Sequence, residues 1–187
     1  MYHIPNDMRA KRTAEALSEA LLELGGRKAF LDIGVSELCK KAGVGRSSFY
    51  RLFDNVYDII AYRSDAIMEK ALDRLERERP RDRKEAILGF IDAWLSEKRL
   101  LALLSESSSY SILSQSHERY FPRIKKALFP GHEPDGVGGD FLLAIFSSLV
   151  PAGLRAYEKH PELNSGQILE QINKSLLLLE SFLGGLN

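Results

Sequence analysis

The chain has 187 residues, and its 26 Lys and Arg are balanced by 26 Asp and Glu. A formal charge of zero excludes a protein that coats nucleic acid by bulk charge, and it excludes an acidic tail protein. At 44% hydrophobic and 28% charged residues, the chain has ample apolar surface to bury, which excludes a disordered protein.

The single cysteine, Cys39, rules out an intramolecular disulfide framework and fits a reducing compartment. The N-terminal stretch MYHIPNDMRAKR is polar and lacks the apolar core of a secretory signal. The longest mostly apolar run, Phe141 to Leu154, is shorter than the ~20 residues of a membrane span. These features predict a soluble cytoplasmic protein with no membrane partner.

The pattern of apolar residues is helical almost throughout. Thr13, Ala16, Leu17, Ala20, Leu21 and Leu24 recur at three- and four-residue steps. They predict a first helix from about Met8 to Leu24, stopped by Gly25-Gly26. Leu38, Ala42 and Val44 open a second, short unit. From Val56 the pattern continues through Ile59, Ile60, Ile67, Ala71, Leu72 and Leu75 to Pro80. A helix of that length spans ~35 Å and typically links two parts of a molecule.

Beyond Pro80 the periodicity predicts helices from about Arg83 to Lys98 and from Leu100 to Glu106. SESSSYSILSQS reads as a serine-rich connection, with the next helix starting after Ser114 and ending near Phe129. FPGHEPDGVGG is the clearest loop signal. Two long apolar helices follow, roughly Asp140 to Glu158 and Ser165 to Gly184. With no convincing strand, the fold class is all-α. A shift in composition near residue 55 divides the chain into residues 1–55 and residues 56–187.

The most informative stretch is VSELCKKAGVGRSSFYRLF, Val35 to Phe53. A helix-turn-helix needs a small residue where its two helices cross, a glycine for a left-handed turn, and apolar residues to hold the steep angle. Cys39 supplies the small residue and Gly43 the glycine. Leu38, Ala42, Val44, Phe49 and Leu52 occupy the apolar positions, with Ser36, Glu37, Lys40 and Lys41 between them.

The run from Phe30 to Ile60 resembles the TetR family of one-component bacterial transcription regulators. AGVGRSSFYRLFDNVYDII is similar to that family's AGVS-x-x-TFY-x-x-F-x-x-K-x-x-L signature. The first helix and its Gly25-Gly26 break also fit. The signature covers roughly the first third of the chain, and the remainder is similar in helix number, length and apolar character alone.

The resemblance implies an N-terminal three-helix DNA-binding domain and a C-terminal helical domain for ligand binding and dimerisation. It implies a recognition helix from about Arg46 to Leu52. Arg46, Ser47 and Ser48 then approach base edges in the major groove, where arginine can make a bidentate contact to guanine. Tyr50 and Arg51 become phosphate contacts. Ser36 is expected to cap the second helix, whose N-terminal amides meet a phosphate. Arg9, Lys11 and Arg12 could reach the neighbouring backbone.

Two positions depart from the family. Gly45 stands where Ser or Thr is usual, which removes a side-chain cap at a cost of a few tenths of a kcal/mol. Val56 stands where Lys is usual, which removes a phosphate contact.

Phe90, Trp94, Tyr110, His117, Phe121 and Phe146 are candidates for a ligand pocket, which the resemblance implies between helices of the second domain. They suit an apolar or aromatic site with few polar anchors. The final helix is apolar on more than one face and must be covered on every side. The natural cover is a second subunit, and the resemblance implies dimerisation through the last two helices. The candidate seam is Phe141, Ile145, Leu149, Ile168, Ile172, Leu176, Leu179 and Phe182.

His3, His117, His132 and His160 lack metal-ligand spacing. No phosphate loop or nucleophile elbow occurs. No enzyme activity, metal or cofactor is therefore expected. The expected function is a homodimeric regulator, a repressor that a small molecule releases from a palindromic operator. The alternative, which Gly45 and Val56 keep open, is a helical ligand-binding or protein-interaction module without DNA binding.

Overall fold

The computed structural model describes residues 2–106, 110–128 and 135–184, the side chains of residues 106, 110, 150 and 151 excepted. All regular structure among them is helical: α1 (Met8–Gly25), α2 (Val35–Ala42), α3 (Arg46–Leu52), α4 (Val56–Glu78), α5 (Arg83–Leu95), α6 (Lys98–Glu106), α7 (Tyr110–Leu128), α8 (Gly136–Glu158) and α9 (Ser165–Gly184). A single 3-10 turn, Phe30–Asp32, precedes α2.

Short polar side chains start several helices by accepting orphan N–H groups. Asp7 accepts from the Ala10 amide at 2.8 Å, Asn55 from Asp58 at 3.2 Å, and Asp82 from Glu85 at 2.8 Å. At α9 the bonds are reciprocal. Asn164 Oδ1 accepts from the Gln167 amide and Gln167 Oε1 from the Asn164 amide, both at 3.0 Å, which forms a capping box.

α1, α2 and α3 pack together at one end, and α4 leads from them into the remaining helices. The contact of α4 with α7 is the most extensive of any helix pair, followed by α7 with α8. One buried apolar cluster runs from Ala10 through Phe49 and Met68 to Trp94 and Leu154.

Four element boundaries differ from the sequence reading. α5 stops at Leu95 rather than Lys98, because Ser96 caps it and turns its hydroxyl onto the Ala93 carbonyl at 2.7 Å. α6 accordingly starts at Lys98. α7 begins at Tyr110, so much of the serine-rich stretch is helical. Its serines bridge helices, Ser114 to the Ser147 carbonyl and Ser116 to Asp65, and these bonds offset weak intrinsic helix propensity. α8 begins at Gly136, which absorbs the last glycines of the expected loop.

With that extension α8 is long and apolar enough to cross a membrane by length and composition alone, whereas the run Phe141 to Leu154 is not.

The Gly25-Gly26 break also has a different physical basis. Gly26 ends α1 in a right-handed conformation with φ −73°, so no left-handed turn is required there. Gly25 is needed for space. A Cβ there would lie 2.2 Å from Leu103 Cδ2, and Leu103 is buried in α6. Gly25→Ala should therefore destabilise the fold by about 1–3 kcal/mol through overpacking, despite alanine's better helix propensity. Thermal unfolding of the variant should begin several degrees lower; an unchanged or raised midpoint would remove the close approach of α1 and α6 as a constraint.

Candidate functional site

α2 and α3 meet through a Schellman turn. Gly43 has φ 67°, Val44 N–H donates to the Cys39 carbonyl at 3.0 Å, and Gly43 N–H to the Lys40 carbonyl at 3.3 Å. Any side chain at position 43 meets the left-handed penalty. Leu38, Cys39, Phe49 and Leu52 are buried beneath the turn. Burial raises the Cys39 thiol pKa, which holds it in its unreactive protonated form.

This packing fixes the outward face of α3. Arg46, Ser47, Tyr50 and Arg51 are exposed, and Ser48 is half-buried. The Tyr50 ring stands edge-on to the buried Phe49 ring at 5.2 Å, with the Arg46 guanidinium 6.0 Å from its centroid. An arginine and a tyrosine one turn apart thus form a joint surface.

Ser36 is exposed in the first turn of α2, but the cap is Gly34, without a side-chain bond. The expected capping role of Ser36 is therefore corrected, because the helix starts two residues earlier than that role requires. Gly45 starts α3, also without a side-chain cap.

The nearby charge is partly spent within the protein. Lys28 pairs with Glu37 and Lys41 with Glu23. Lys40, Arg46 and Arg51 remain exposed along this unit, and Arg9 and Arg12 are exposed on α1. The sequence reading missed residues 2–3. His3 N–H donates to the Leu52 carbonyl at the end of α3, at 2.7 Å, and the Tyr2 ring lies against Phe53 and Tyr62. Two residues ahead of a helix carry no periodicity by which to find them.

Away from the helix-turn-helix, α5, α8 and α9 line a partly open cavity of about 360 Å³, within the range of small-molecule sites. Of the candidate pocket residues, Phe90, Trp94 and Phe146 line it. Phe121 is buried elsewhere in the core, and the Tyr110 side chain lies outside the described residues. His117 stands behind the wall, with its ring centroid 5.5 Å from Phe146 and 6.4 Å from Trp94.

The candidate seam residues divide. Ile145, Leu149, Ile168, Ile172 and Leu176 belong to the cavity wall. Ile168 is buried there, so its place on an outward seam is corrected: it faces α5. Phe141, Leu179 and Phe182 are exposed, with Phe141 at 67% and Phe182 at 68%, and the wall residues Ile145 and Leu176 are exposed as well. Ile87, Ile91 and Leu95 complete the α5 side. The signal for them was the spread of apolar residues around α5, more than one packing face needs. Among the described residues no cluster of His, Cys, Asp or Glu suits a metal ion.

His117 is fully buried, and neither ring nitrogen has a partner among the described residues. Burial lowers its pKa to about 4 from 6.5. The folded protein thus holds a neutral imidazole while the unfolded chain gains a proton below 6.5. Stability present above pH 6.5 is lost as the pH falls toward 4, by up to about 3 kcal/mol. Urea unfolding from pH 7 to pH 4 should show this loss in the natural protein and a shallower one in His117→Leu. Parallel curves would remove His117 as the source.

No protein-family model matches the sequence, and no curated protein matches it significantly. Solved structures do share its shape. A Listeria innocua protein, Lin0861, superposes with TM-score 0.79 at 18% identity, over 95% of this chain and 96% of its own. A transcriptional regulator of the TerR/AcrR family from Aquifex aeolicus VF5 gives TM-score 0.53 at 18% identity, over 89% and 99%. The chain has the all-α fold of these proteins, a transcriptional regulator among them.

Proposed function

We propose that the chain is a homodimeric DNA-binding transcription regulator, a repressor that leaves a palindromic operator when a small molecule binds. Residues 1–55 are its DNA-binding domain and residues 56–187 its effector-binding and dimerisation domain. The observation that carries this reading is the helix-turn-helix, whose second helix turns Arg46, Ser47, Tyr50 and Arg51 outward on a buried Phe49–Leu52 base. The shared fold supports it.

Arg46 and Ser47 read base edges. Tyr50, Arg51 and the first turn of α2 at Ser36 hold phosphates, which position the protein without specifying sequence. A two-fold dimer sets its two α3 helices in successive major grooves, ~34 Å apart.

Dimerisation uses the outer faces of α8 and α9. Phe141, Leu178, Leu179, Phe182 and Leu183 are all exposed there, a larger apolar face than single surface residues explain. A second copy covers it, which keeps α8 out of a bilayer and the protein in the cytoplasm. The effector enters the α5–α8–α9 cavity. It shifts the DNA-binding equilibrium only through unequal affinity for the two spacings of the reading heads.

Gel shifts against the gene's own upstream region test the DNA arm. Arg46→Ala should weaken operator binding by about 1–3 kcal/mol and relax specificity at one base. Tyr50→Phe should weaken binding by about 1 kcal/mol across sequences. Neither should shift the unfolding midpoint, and unchanged affinity in both removes the assignment of α3. Leu179→Glu with Phe182→Glu tests the dimer arm. Sedimentation without detergent should show a dimer for the natural chain and a monomer for the double variant. A natural chain that sediments as a monomer, or that needs detergent to stay dispersed, defeats the proposed seam.

A further inference from the structure

The cavity carries information about the chemistry of its ligand. Its wall is built almost wholly from aliphatic and aromatic side chains of α5, α8 and α9. Arg83 is the one cation among the lining residues. It is exposed at the first position of α5, so its guanidinium belongs to the rim. Asn173 is also exposed, and the Tyr157 hydroxyl is already donated to the Pro161 carbonyl.

The inner wall differs. Trp94 lines the cavity, is buried, and its indole N–H has no acceptor among the described residues. His117 packs edge-on to Phe146 and beside Trp94, with both ring nitrogens unsatisfied. On α8, beside Phe146, the buried Ser147 hydroxyl is unsatisfied too, although its carbonyl accepts from Ser114 of α7. Buried polar atoms are normally partnered. Of the three, Trp94 alone lines the cavity, and His117 packs behind it against the Trp94 and Phe146 rings, so the seam of these two side chains marks a place where hydrogen bonds can be gained. All three are uncharged, the imidazole because burial keeps it neutral.

We propose that the cavity binds a neutral, predominantly apolar molecule with one small uncharged hydrogen-bonding group, an alcohol or a ketone. That group sits at the inner seam beside Trp94 and His117. The proposal deepens the effector reading above and rests on it only for the consequence at the operator. A carboxylate at the same depth would be a buried charge without a cation, which is costly. A hydroxyl can accept from the indole and donate to the neutral imidazole.

Trp94 is the sole tryptophan of the chain, so tryptophan emission reports from the cavity wall. Titration of the full-length protein with 1-decanol and with decanoate compares two probes of one chain length that differ in head group. 1-Decanol should change the Trp94 emission and bind at least tenfold more tightly than decanoate. Gly153 lines the cavity, and a Cβ there would lie 4.0 Å from Ile172 Cδ1, an ordinary contact. Gly153→Leu should thus project its side chain into the cavity, leave the helix content intact and abolish the response. His117→Leu should keep the fold and weaken 1-decanol several-fold while changing decanoate little.

Decanoate binding as tightly as 1-decanol would overturn the proposal in favour of an anionic head group at Arg83. A 1-decanol response that survives Gly153→Leu would overturn it by locating the probe on the exposed α8–α9 face. Absence of any emission change with either probe would also overturn it. Operator binding measured with and without 1-decanol is a separate readout. Binding in the cavity with unaltered operator affinity leaves the ligand chemistry standing and defeats the effector reading alone.

Discussion

A single buried carboxylate ties together parts of the chain that are far apart in sequence. Asp65 lies midway along α4 and is only 3% exposed. It accepts hydrogen bonds from the Tyr2 hydroxyl and the Ser116 hydroxyl and is ion-paired with Arg119. Burying a charge costs several kcal/mol unless its lone pairs are filled. Here they are filled from the N-terminal segment and from α7, so the fold must bring both to α4. The extensive packing of α4 on α7 meets that requirement.

The same few residues of α7 face two ways. Ser116 and Arg119 hold Asp65, while the intervening His117 touches the Trp94 and Phe146 rings of the cavity. On the far side of Asp65, Tyr2 leads directly to His3, whose N–H holds the last carbonyl of α3. Two further ties join the α1–α3 end to the remaining helices. Arg63 of α4 bridges Glu19 of α1 and Glu97 before α6, each at 3.0 Å. Gly25 lets Leu103 of α6 pack directly on the end of α1. The α1–α3 end is therefore fastened to α4 and α6 at several points, and these are the contacts through which a change in the α4–α7 spacing would reach α3. Such coupling requires two discrete arrangements of this contact, each favoured by a different ligand.

The parts of this arrangement legible in the sequence are those fixed by local geometry. The left-handed turn needs Gly43, and Phe49 with Leu52 must lie under α3, so the turn and the buried side of the helix-turn-helix could be traced, whereas the Gly34 cap and the His3 tie could not. Where tertiary contacts outweigh local propensity, the reading failed. The serines of α7 and the glycines opening α8 are poor helix formers, yet both stretches are helical, and α7 even continues through Pro122. The cavity was legible in part, because Phe90, Trp94 and Phe146 are bulky enough to attract attention, whereas Ile168 looked like a seam residue until α5 was seen against α9. The pairing of Tyr2 with Asp65 spans 63 positions, and no periodicity points to it.

The balanced charge of the chain bears on how such a head could hold DNA. Lys28 and Lys41 are paired with glutamates on neighbouring elements, so few cations are left to replace counterions around a phosphate backbone. One head then gains little from non-specific attraction. Two heads held at a fixed spacing gain far more, because the second binds at a high effective concentration once the first is seated. On the proposed reading, the apolar faces of α8 and α9 and the sparse charge around α3 are therefore complementary. The weaker each head is on random DNA, the more completely operator affinity depends on the spacing that the dimer seam sets. A small change in that spacing, transmitted through α4, then suffices to release both heads.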